Sequence, residues 1–327
     1  MGQSDDEVRL ANFDGFKSAR VSGNDIKARL ETAADKAIFT GVKVIDDVFG
    51  GILPNDIVLL GAKTGTGKTA LASQVALHNA QKKKNVYMYA LEAEPEEIQM
   101  RILYELLVRK ARAVNPRKKY NYKHFRLGRY KDLYVYYDEC LEEVDNFDNL
   151  KIFYRKNEFG IEDFVKLTMS VRNEADLIII DHIHYFDLDG ANENKAMGDA
   201  IKKIRDISLL TGVPVIILAH LRKSQGNEFK LVPSIDDFHG SSDLSKVCTK
   251  GVILAPGGQR GDSTRTLFSF PKFRGFSAPS KYLFRCDYDI YMNKYDEGYS
   301  IHKFLYNTVK LNLDENIVDP EELSWLG

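Results

Sequence analysis

The sequence predicts an α/β protein with a mostly parallel central sheet, helices on both faces and antiparallel hairpins toward the C-terminus. Three observations carry this. A glycine-rich turn, Gly61-Ala-Lys-Thr-Gly-Thr-Gly-Lys-Thr69, joins the apolar run Ile57–Leu60 to a breaker-free helical segment, Lys68–Gln81. Strand-length apolar runs then alternate with helix-length segments as far as Ala219. From Gly251 onward the β signals alternate with turns, at Val252–Leu254, Thr266–Phe270 and Lys281–Asp287, the pattern of hairpins at a sheet edge.

At 327 residues the chain is long for one domain, but an α/β fold with added hairpins reaches this size around a single sheet. The expected division is a tail and linker helix over 1–37 and one domain over 38–327. A hydrophobic fraction of 44% supplies ample core. The formal charge of −1 argues against a wholly basic nucleic-acid coating protein and leaves room for a local basic channel. Cys140, Cys248 and Cys286 are far apart and form no C-x-x-C pair, which suggests neither a zinc site nor a disulfide framework and points to a reducing compartment. No apolar run is long enough to cross a membrane, and Met1–Arg20 carries four acidic residues and no signal-peptide core. A soluble, cytoplasmic protein without a membrane partner is expected.

Residues 1 to about 22 read as a polar tail. Asn24 or Asp25 caps a helix to Ala37 whose apolar stripe, Ile26, Leu30, Ala33 and Ala37, is narrow. That stripe packs either on its own domain or on a neighbouring subunit. After the Lys68–Gln81 helix, Lys82–Lys84 suit a helix C-terminus. A second strand follows at Val86–Leu91, then a helix from Pro95 to about Arg112. Arg109–Lys131 mixes basic residues with Tyr120, Tyr122, Phe125 and Tyr130; such a stretch can track nucleic acid, but a solvated connector with its rings pinned to the core is the stronger reading. Asn149–Tyr154 and Ile161–Arg172 read as strand then helix, Asp176–Asp181 as the most hydrophobic strand, Asn192–Leu210 as helix and Val213–Ala219 as strand. Arg222–Pro233 is a polar loop.

Ligands of open parallel sheets bind outside the carboxyl ends of the strands, so polar residues placed there are informative. Leu60 leads into the glycine turn, Leu91 into Glu92, Ile180 into Asp181 and Ala219 into His220. The turn follows G-x-x-x-x-G-K-[ST], with Ala62 at the first position. Backbone N–H groups over Ala62, Lys63, Thr64, Gly65, Thr66 and Gly67 would cradle phosphates, with Lys68 as a point cation. Thr69 and Asp181 would hold Mg²⁺, while Glu92 orients the water that attacks the γ phosphate. His220 would contact the γ phosphate or that water. His182 and His184 have an H-x-H spacing; with no third ligand suggested, coupling of the nucleotide site to a loop is the stronger reading of His184. The set lacks a cation for the transferring phosphoryl group. Lys272-Phe-Arg274-Gly275 is the expected source, Arg274 acting in trans from a neighbouring subunit.

With these residues placed, the chain resembles the RecA-like ATPase domain of DnaB-type replicative hexameric helicases over roughly residues 38–290. Phe39-Thr-Gly41, Ile45-Asp46 and Gly51-Ile-Leu-Pro54 look like that family's lead-in to its nucleotide loop, and Ala62 fits its Gly-Ala start. Ala90-Leu-Glu92 is similar to the segment bearing the catalytic glutamate, with Arg101 at the matching downstream arginine that serves the nucleotide. Leu177–Asp181 resembles Walker B, and Val215–Lys223 looks like the strand and loop that usually end in glutamine, where His220 stands. Asp237–Asp243 resembles the serine-rich segment, and Lys272-x-Arg274-Gly275 the lysine and arginine finger. The resemblance implies a RecA-like P-loop NTPase that uses ATP and Mg²⁺. It further implies a homo-oligomeric ring, usually of six subunits, that encircles single-stranded DNA and unwinds it in replication, with primase, loader or initiator proteins as partners. The sequence before residue 38 leaves no room for the family's helical collar, so the tail and first helix are expected to link subunits. The Asp187–Gly198 loop is poor in cations, which leaves Arg222, Lys223 and Lys230 for DNA binding. Two alternatives stand beside the helicase: a RecA-family ATPase that does not unwind, and an ATP-switched subunit that docks on a replication protein.

Overall fold

The computed structural model describes residues 19–188, 193–221, 235–238, 244, 246–260, 263–274, 283–289 and 294–295. In chain order the elements are α1 (Ala19–Lys36), α2 (Lys43–Phe49), β1 (Ile57–Ala62), α3 (Lys68–Gln81), β2 (Val86–Ala90), α4 (Glu97–Val114), α5 (Tyr122–Phe125), α6 (Tyr137–Asp145), β3 (Leu150–Tyr154), α7 (Ile161–Ser170), β4 (Leu177–Asp181), α8 (Glu193–Thr211), β5 (Val215–His220), β6 (Lys250–Arg260), β7 (Ser263–Phe273), β8 (Leu283–Asp289) and β9 (Lys294–Tyr295).

The strands form one sheet in the order β3-β2-β4-β5-β1-β6-β7-β8-β9. Strands β3 to β6 of that order run parallel, and β7, β8 and β9 continue antiparallel, as the hairpin signals predict. Parallel strands between two helical layers are buried on both faces, which is why β1 and β4 are buried throughout. Alternation along each strand sends successive side chains to opposite faces and so divides the interior in two. Val58, Leu60, Met88, Ile179 and Leu218 face α3 and α4 residues such as Leu71, Val75, Ile102 and Leu106. Ile57, Leu59, Ile178, Ile180 and Ile217 face Phe164 of α7 and Met197, Ile201 and Ile204 of α8.

Several boundaries differ from the sequence reading. Helix α1 begins at Ala19, inside the expected tail. Its Ile26 and Leu30 are 53% and 71% exposed, whereas Ala37 at the other end of the stripe is buried, so only that end packs on its own domain. Helix α4 begins at Glu97 because Glu96 takes a left-handed conformation, φ 64°, that leaves Pro95 in the preceding turn. Helices α2, α5 and α6 went unpredicted. The first is held by Asp46, which accepts from Thr40 N at 2.7 Å and Gly41 N at 3.0 Å, and it stops at Gly50, φ 60°. Burial pushes the Asp46 carboxyl up to about 6. The expected acidic loop after residue 187 is partly helix, since Glu193 and Lys195 belong to α8. Asp187 accepts from Arg155 Nη2 at 2.8 Å and Phe159 N at 2.6 Å, a structural role.

The basic and aromatic stretch 109–131 is the predicted connector. Tyr120 is buried against Tyr130, ring centroids 5.1 Å apart, and Tyr122 and Phe125 pack on the buried Tyr104 at 5.2 and 5.1 Å. Cys140 and Cys248 are buried free thiols. Among the described residues no helix is long and apolar enough to cross a membrane.

A polar knot fixes the amino-terminal end of β1 to the hairpin edge. The buried Lys250 Nζ donates to Asp56 Oδ2 at 2.7 Å and to the Gly51 carbonyl at 2.6 Å. Thr249 Oγ1 donates to Asp56 Oδ1 at 2.7 Å, and the Thr249 carbonyl accepts Arg274 N at 2.7 Å. Removing one partner of such a pair strands the other charge without water. Asp56→Ala is expected to cost roughly 3–5 kcal/mol in urea unfolding, and Lys250→Met clearly less, because the retained carboxylate keeps its Thr249 bond.

Candidate active site

Parallel register assembles the site. Ala90 of β2 is level with Asp181 of β4, and Ala62 of β1 is level with His220 of β5. The glycine turn, Glu92, Asp181 and His220 therefore leave the sheet along one edge, as predicted, with Asp181 and His220 as the last residues of their strands. Glu92 N donates to the Asp181 carbonyl at 3.3 Å, which carries β2 one step past its strand.

The loop between β1 and α3 is open to solvent at Lys63, Thr64 and Gly65 and closes onto the helix at Gly67. Gly65 and Gly67 have φ of 78° and 99°, a left-handed region in which a side chain would be strained. Gly61 meets a different constraint: a Cβ there would lie 2.3 Å from the Phe238 ring, so the strand passes under that aromatic only without a side chain. Leu71 N donates to the Gly67 carbonyl at 3.0 Å, which begins α3 at Lys68 and leaves the loop amides outside the helical ladder.

Lys68 is buried, and its Nζ lies 3.1 Å from both the Ala62 carbonyl and His220 Nδ1. Burial pushes its ammonium below the usual lysine range, against the pull of Glu92 and Asp181. His220 Nε2 is 3.9 Å from Glu92 Oε2. Asp181 is fully inside, and both carboxylate oxygens lack a hydrogen-bond partner. Burial pushes it up to about 7; the Thr69 hydroxyl is the group that most favours its ionised form. A buried acceptor pair with no donor, beside a hydroxyl, is a donor set for a hard, oxygen-seeking cation, so Thr69 and Asp181 fit Mg²⁺.

Two placements were not foreseen. His182 is wholly buried and its ring lies on that of His220, centroids 3.9 Å apart. Burial, then His220, His184 and Lys68, pushes it down to about 2, so it is neutral. Tyr185 faces Glu92, and burial together with that carboxylate raises its hydroxyl. The H-x-H spacing was visible in sequence; His220 as the neighbour of His182 was not, because the two meet across β4 and β5. Arg101 bonds Glu97 Oε1 at 2.7 Å and lies over Tyr122 at 5.0 Å, and its charge is felt at Asp181.

Lys272 and Arg274 are elsewhere. Phe273 of β7 is level with Lys250 of β6, which is level with Val58 of β1, whereas the glycine loop follows Ala62, level with Leu254. The pair thus occupies the opposite edge of the sheet, with Arg274 exposed. Arg222, Lys223 and Lys230 lie outside the described residues, as do 239–243 of the serine-rich segment.

Residues 37–249 match the family described as DnaB-like helicase C terminal domain. The chain belongs to that family. It is 22% identical over 223 residues to the replicative DNA helicase DnaB of Buchnera aphidicola subsp. Baizongia pistaciae (strain Bp), covering 64% of this chain and 44% of that protein. It is 24% identical over 237 residues to the replicative DNA helicase DnaB of Helicobacter pylori (strain ATCC 700392 / 26695), covering 69% and 44%. The chain spans about half the length of these curated relatives, 44% in both. Two solved structures share the fold at 16% identity. The first, described as an ATPase domain, has a TM-score of 0.72, with 86% of this chain and 99% of that one aligned. A DnaB-like replicative helicase, described with its interactions with primase, has a TM-score of 0.69 over 88% and 69%. In this DnaB-like domain the loop, Glu92, Arg101, Asp181 and His220 all fall inside the matched stretch, and Lys272 and Arg274 lie beyond it.

Without a cation the buried Asp181 costs stability. Its folded pKa is raised, so the native state binds the extra proton, and the metal-free fold weakens as pH rises from about 4 to about 7. Asp181→Asn removes that dependence. In EDTA the variant is expected to melt above wild type at pH 8, by an amount on the order of a few kcal/mol, and to converge on it near pH 4. Equal melting curves at pH 8 would refute the burial cost.

Proposed function

We propose that this chain is the ATP-hydrolysing motor of a replicative DNA helicase, a ring whose nucleotide sites are completed between subunits. Family membership supports ATP-driven helicase work, and one observation carries the arrangement: the loop and the finger pair leave opposite edges of the same sheet. They are offset by four residues along β1, roughly 13 Å at strand spacing, with further separation across the strands. An exposed Arg274 side chain cannot close that gap within its own chain. It can meet the loop of the next copy in a head-to-tail ring.

In such a site the loop amides of Ala62–Gly67 hold the phosphates of ATP at the start of α3, and Lys68 leaves His220 for the β and γ oxygens. Thr69 and Asp181 hold Mg²⁺, which when bound neutralises charge on the phosphate oxygens. Glu92, at the solvent lip, orients the attacking water. His220, released by Lys68, then bonds that water or the γ phosphate and so registers hydrolysis. Lys272 and Arg274 of the adjoining copy stabilise the transferring phosphoryl group, and Arg101 adds charge beyond Asp181.

On this reading Arg222, Lys223 and Lys230 contact single-stranded DNA in the channel of a six-membered ring. The exposed Ile26 and Leu30 of α1 dock on the neighbouring subunit. The protein works in the cytoplasm, with primase and a loader or initiator as the partners its replicative role calls for.

The finger assignment is tested by mixing. Lys68→Ala and Arg274→Ala are each expected to lower DNA-stimulated ATP turnover by roughly 10³-fold or more, Arg274→Ala with nucleotide binding largely intact. Mixed rings of the two variants should recover part of the turnover, because some interfaces then pair an intact loop with an intact finger. Unchanged turnover in Arg274→Ala removes the finger, and failure of the wild type to displace a strand with ATP removes the helicase reading.

A further inference from the structure

The edge of the sheet that bears Lys272 and Arg274 carries a further cation, Arg205, which the motor reading leaves unused. Arg205 lies on α8 near its carboxyl end, and its Nη1 donates to the Asn55 carbonyl at 2.5 Å. Asn55 takes a left-handed φ of 67°, and its N–H donates to the Gly212 carbonyl at 3.2 Å, so the turn before β1 and the end of α8 are tied to each other. Arg205 is thereby held beside Asp56. On the other side of Asp56 stands Thr249, whose hydroxyl donates to Asp56 Oδ1 and whose carbonyl accepts Arg274 N. Two arginines, one from a helix and one from the hairpin, thus reach the same corner, on the edge opposite the glycine loop.

That corner is short of negative charge. Both Asp56 oxygens are engaged, Oδ1 by Thr249 and Oδ2 by Lys250 Nζ and Leu53 N. Burial, then Arg274, pulls the Arg205 guanidinium below the usual arginine range, against the pull of Asp56 and Asp206. Arg205 is half-buried, and among the described residues its hydrogen bond to Asn55 is the one it makes. A guanidinium is a rigid fork of N–H donors matched to phosphate oxygens, so one arm on a carbonyl leaves the rest of the fork for an oxyanion. Two such groups at one corner repel each other, and an anion between them offsets that cost.

We propose that Arg205 is a second catalytic cation acting in trans, contacting with Arg274 of the same copy the transferring phosphoryl group of ATP bound to the next copy. The assignment rests on the motor reading above, in which this edge meets a neighbour's glycine loop. It adds that two elements, not the hairpin alone, deliver charge there. Arg205 comes from a helix whose Ile201 and Ile204 are packed on the sheet, so its reach is set by the core, whereas Arg274 is exposed at the end of the hairpin.

The test is DNA-stimulated ATP turnover of the full chain. Arg205→Ala should lower kcat roughly tenfold or more with KM for ATP changed by less than about twofold, and Arg205→Lys should recover part of the loss. Arg205→Gln can still donate to the Asn55 carbonyl but carries no charge, and it should be as slow as Arg205→Ala. Turnover near wild type in Arg205→Gln leaves only the bond to Asn55 and overturns the proposal. Mixing shows which copy's site is served. Rings mixed from Arg205→Ala and Lys68→Ala should regain turnover, because some interfaces pair an intact loop with an intact Arg205. Rings mixed from Arg205→Ala and Arg274→Ala should not, because every interface then lacks one of the two cations. Recovery in the second mixture would place Arg205 in its own copy's site, and no recovery in the first would reduce it to a folding defect; either overturns the proposal. If wild type turns over no ATP, the motor reading fails and this one with it. If Arg274→Ala is inactive while Arg205→Gln is normal, Arg205 alone is removed.

Discussion

Parallel register is the constraint on which the rest depends. Strands that all run one way expose all their carboxyl ends along one edge, and a strand buried on both faces can carry a polar side chain only where it leaves the sheet. Asp181 follows three isoleucines and His220 follows Leu218 and Ala219, and the ladders that hold Ala90 level with Asp181 and Ala62 level with His220 bring these groups to the same depth. A slip of one residue in β4 would turn Asp181 into the opposite core.

The electrostatics at that edge are incomplete without a ligand. Asp181 is buried with two unpaired oxygens, Lys68 is buried on a carbonyl and an imidazole, and His182 is kept neutral by the same loss of water. Each is a cost the hydrophobic cores on either side must offset, and the first two would be relieved by groups of opposite character: a cation at Asp181, phosphate at Lys68. A site poised in this way gains binding strength from interactions its own fold leaves unmade.

What the sequence disclosed follows the same physics. The glycine turn, the Lys68–Gln81 helix and the aliphatic run to Asp181 were legible because local chemistry dictates them: left-handed glycines, an unbroken helical stretch and double-sided burial. Helices α2, α5 and α6 were missed for being short and for drawing stability from tertiary partners; α2 exists because Thr40 and Gly41 find Asp46. Helix α4 starts late because Glu96 adopts a left-handed turn that no neighbouring residue announces. His182 was noticed only as part of an H-x-H spacing. Its stacking on His220 joins two strands that meet only in the folded sheet, and such pairs leave no trace in spacing.

The sheet also constrains how neighbouring sites can affect one another. One end of β1 enters the glycine loop, and the other is locked by Asp56, Lys250 and Thr249 to the strand pair that carries Lys272 and Arg274. Between the two ends the β1–β6 ladder is continuously paired from Val58 to Ala62. A hydrogen-bonded ladder buried on both faces does not stretch, so the separation of loop and finger within one chain is fixed. If the finger of one copy serves the loop of the next, it can approach or retreat only by rigid movement of whole domains against each other. The hinge for that movement must then lie outside the sheet.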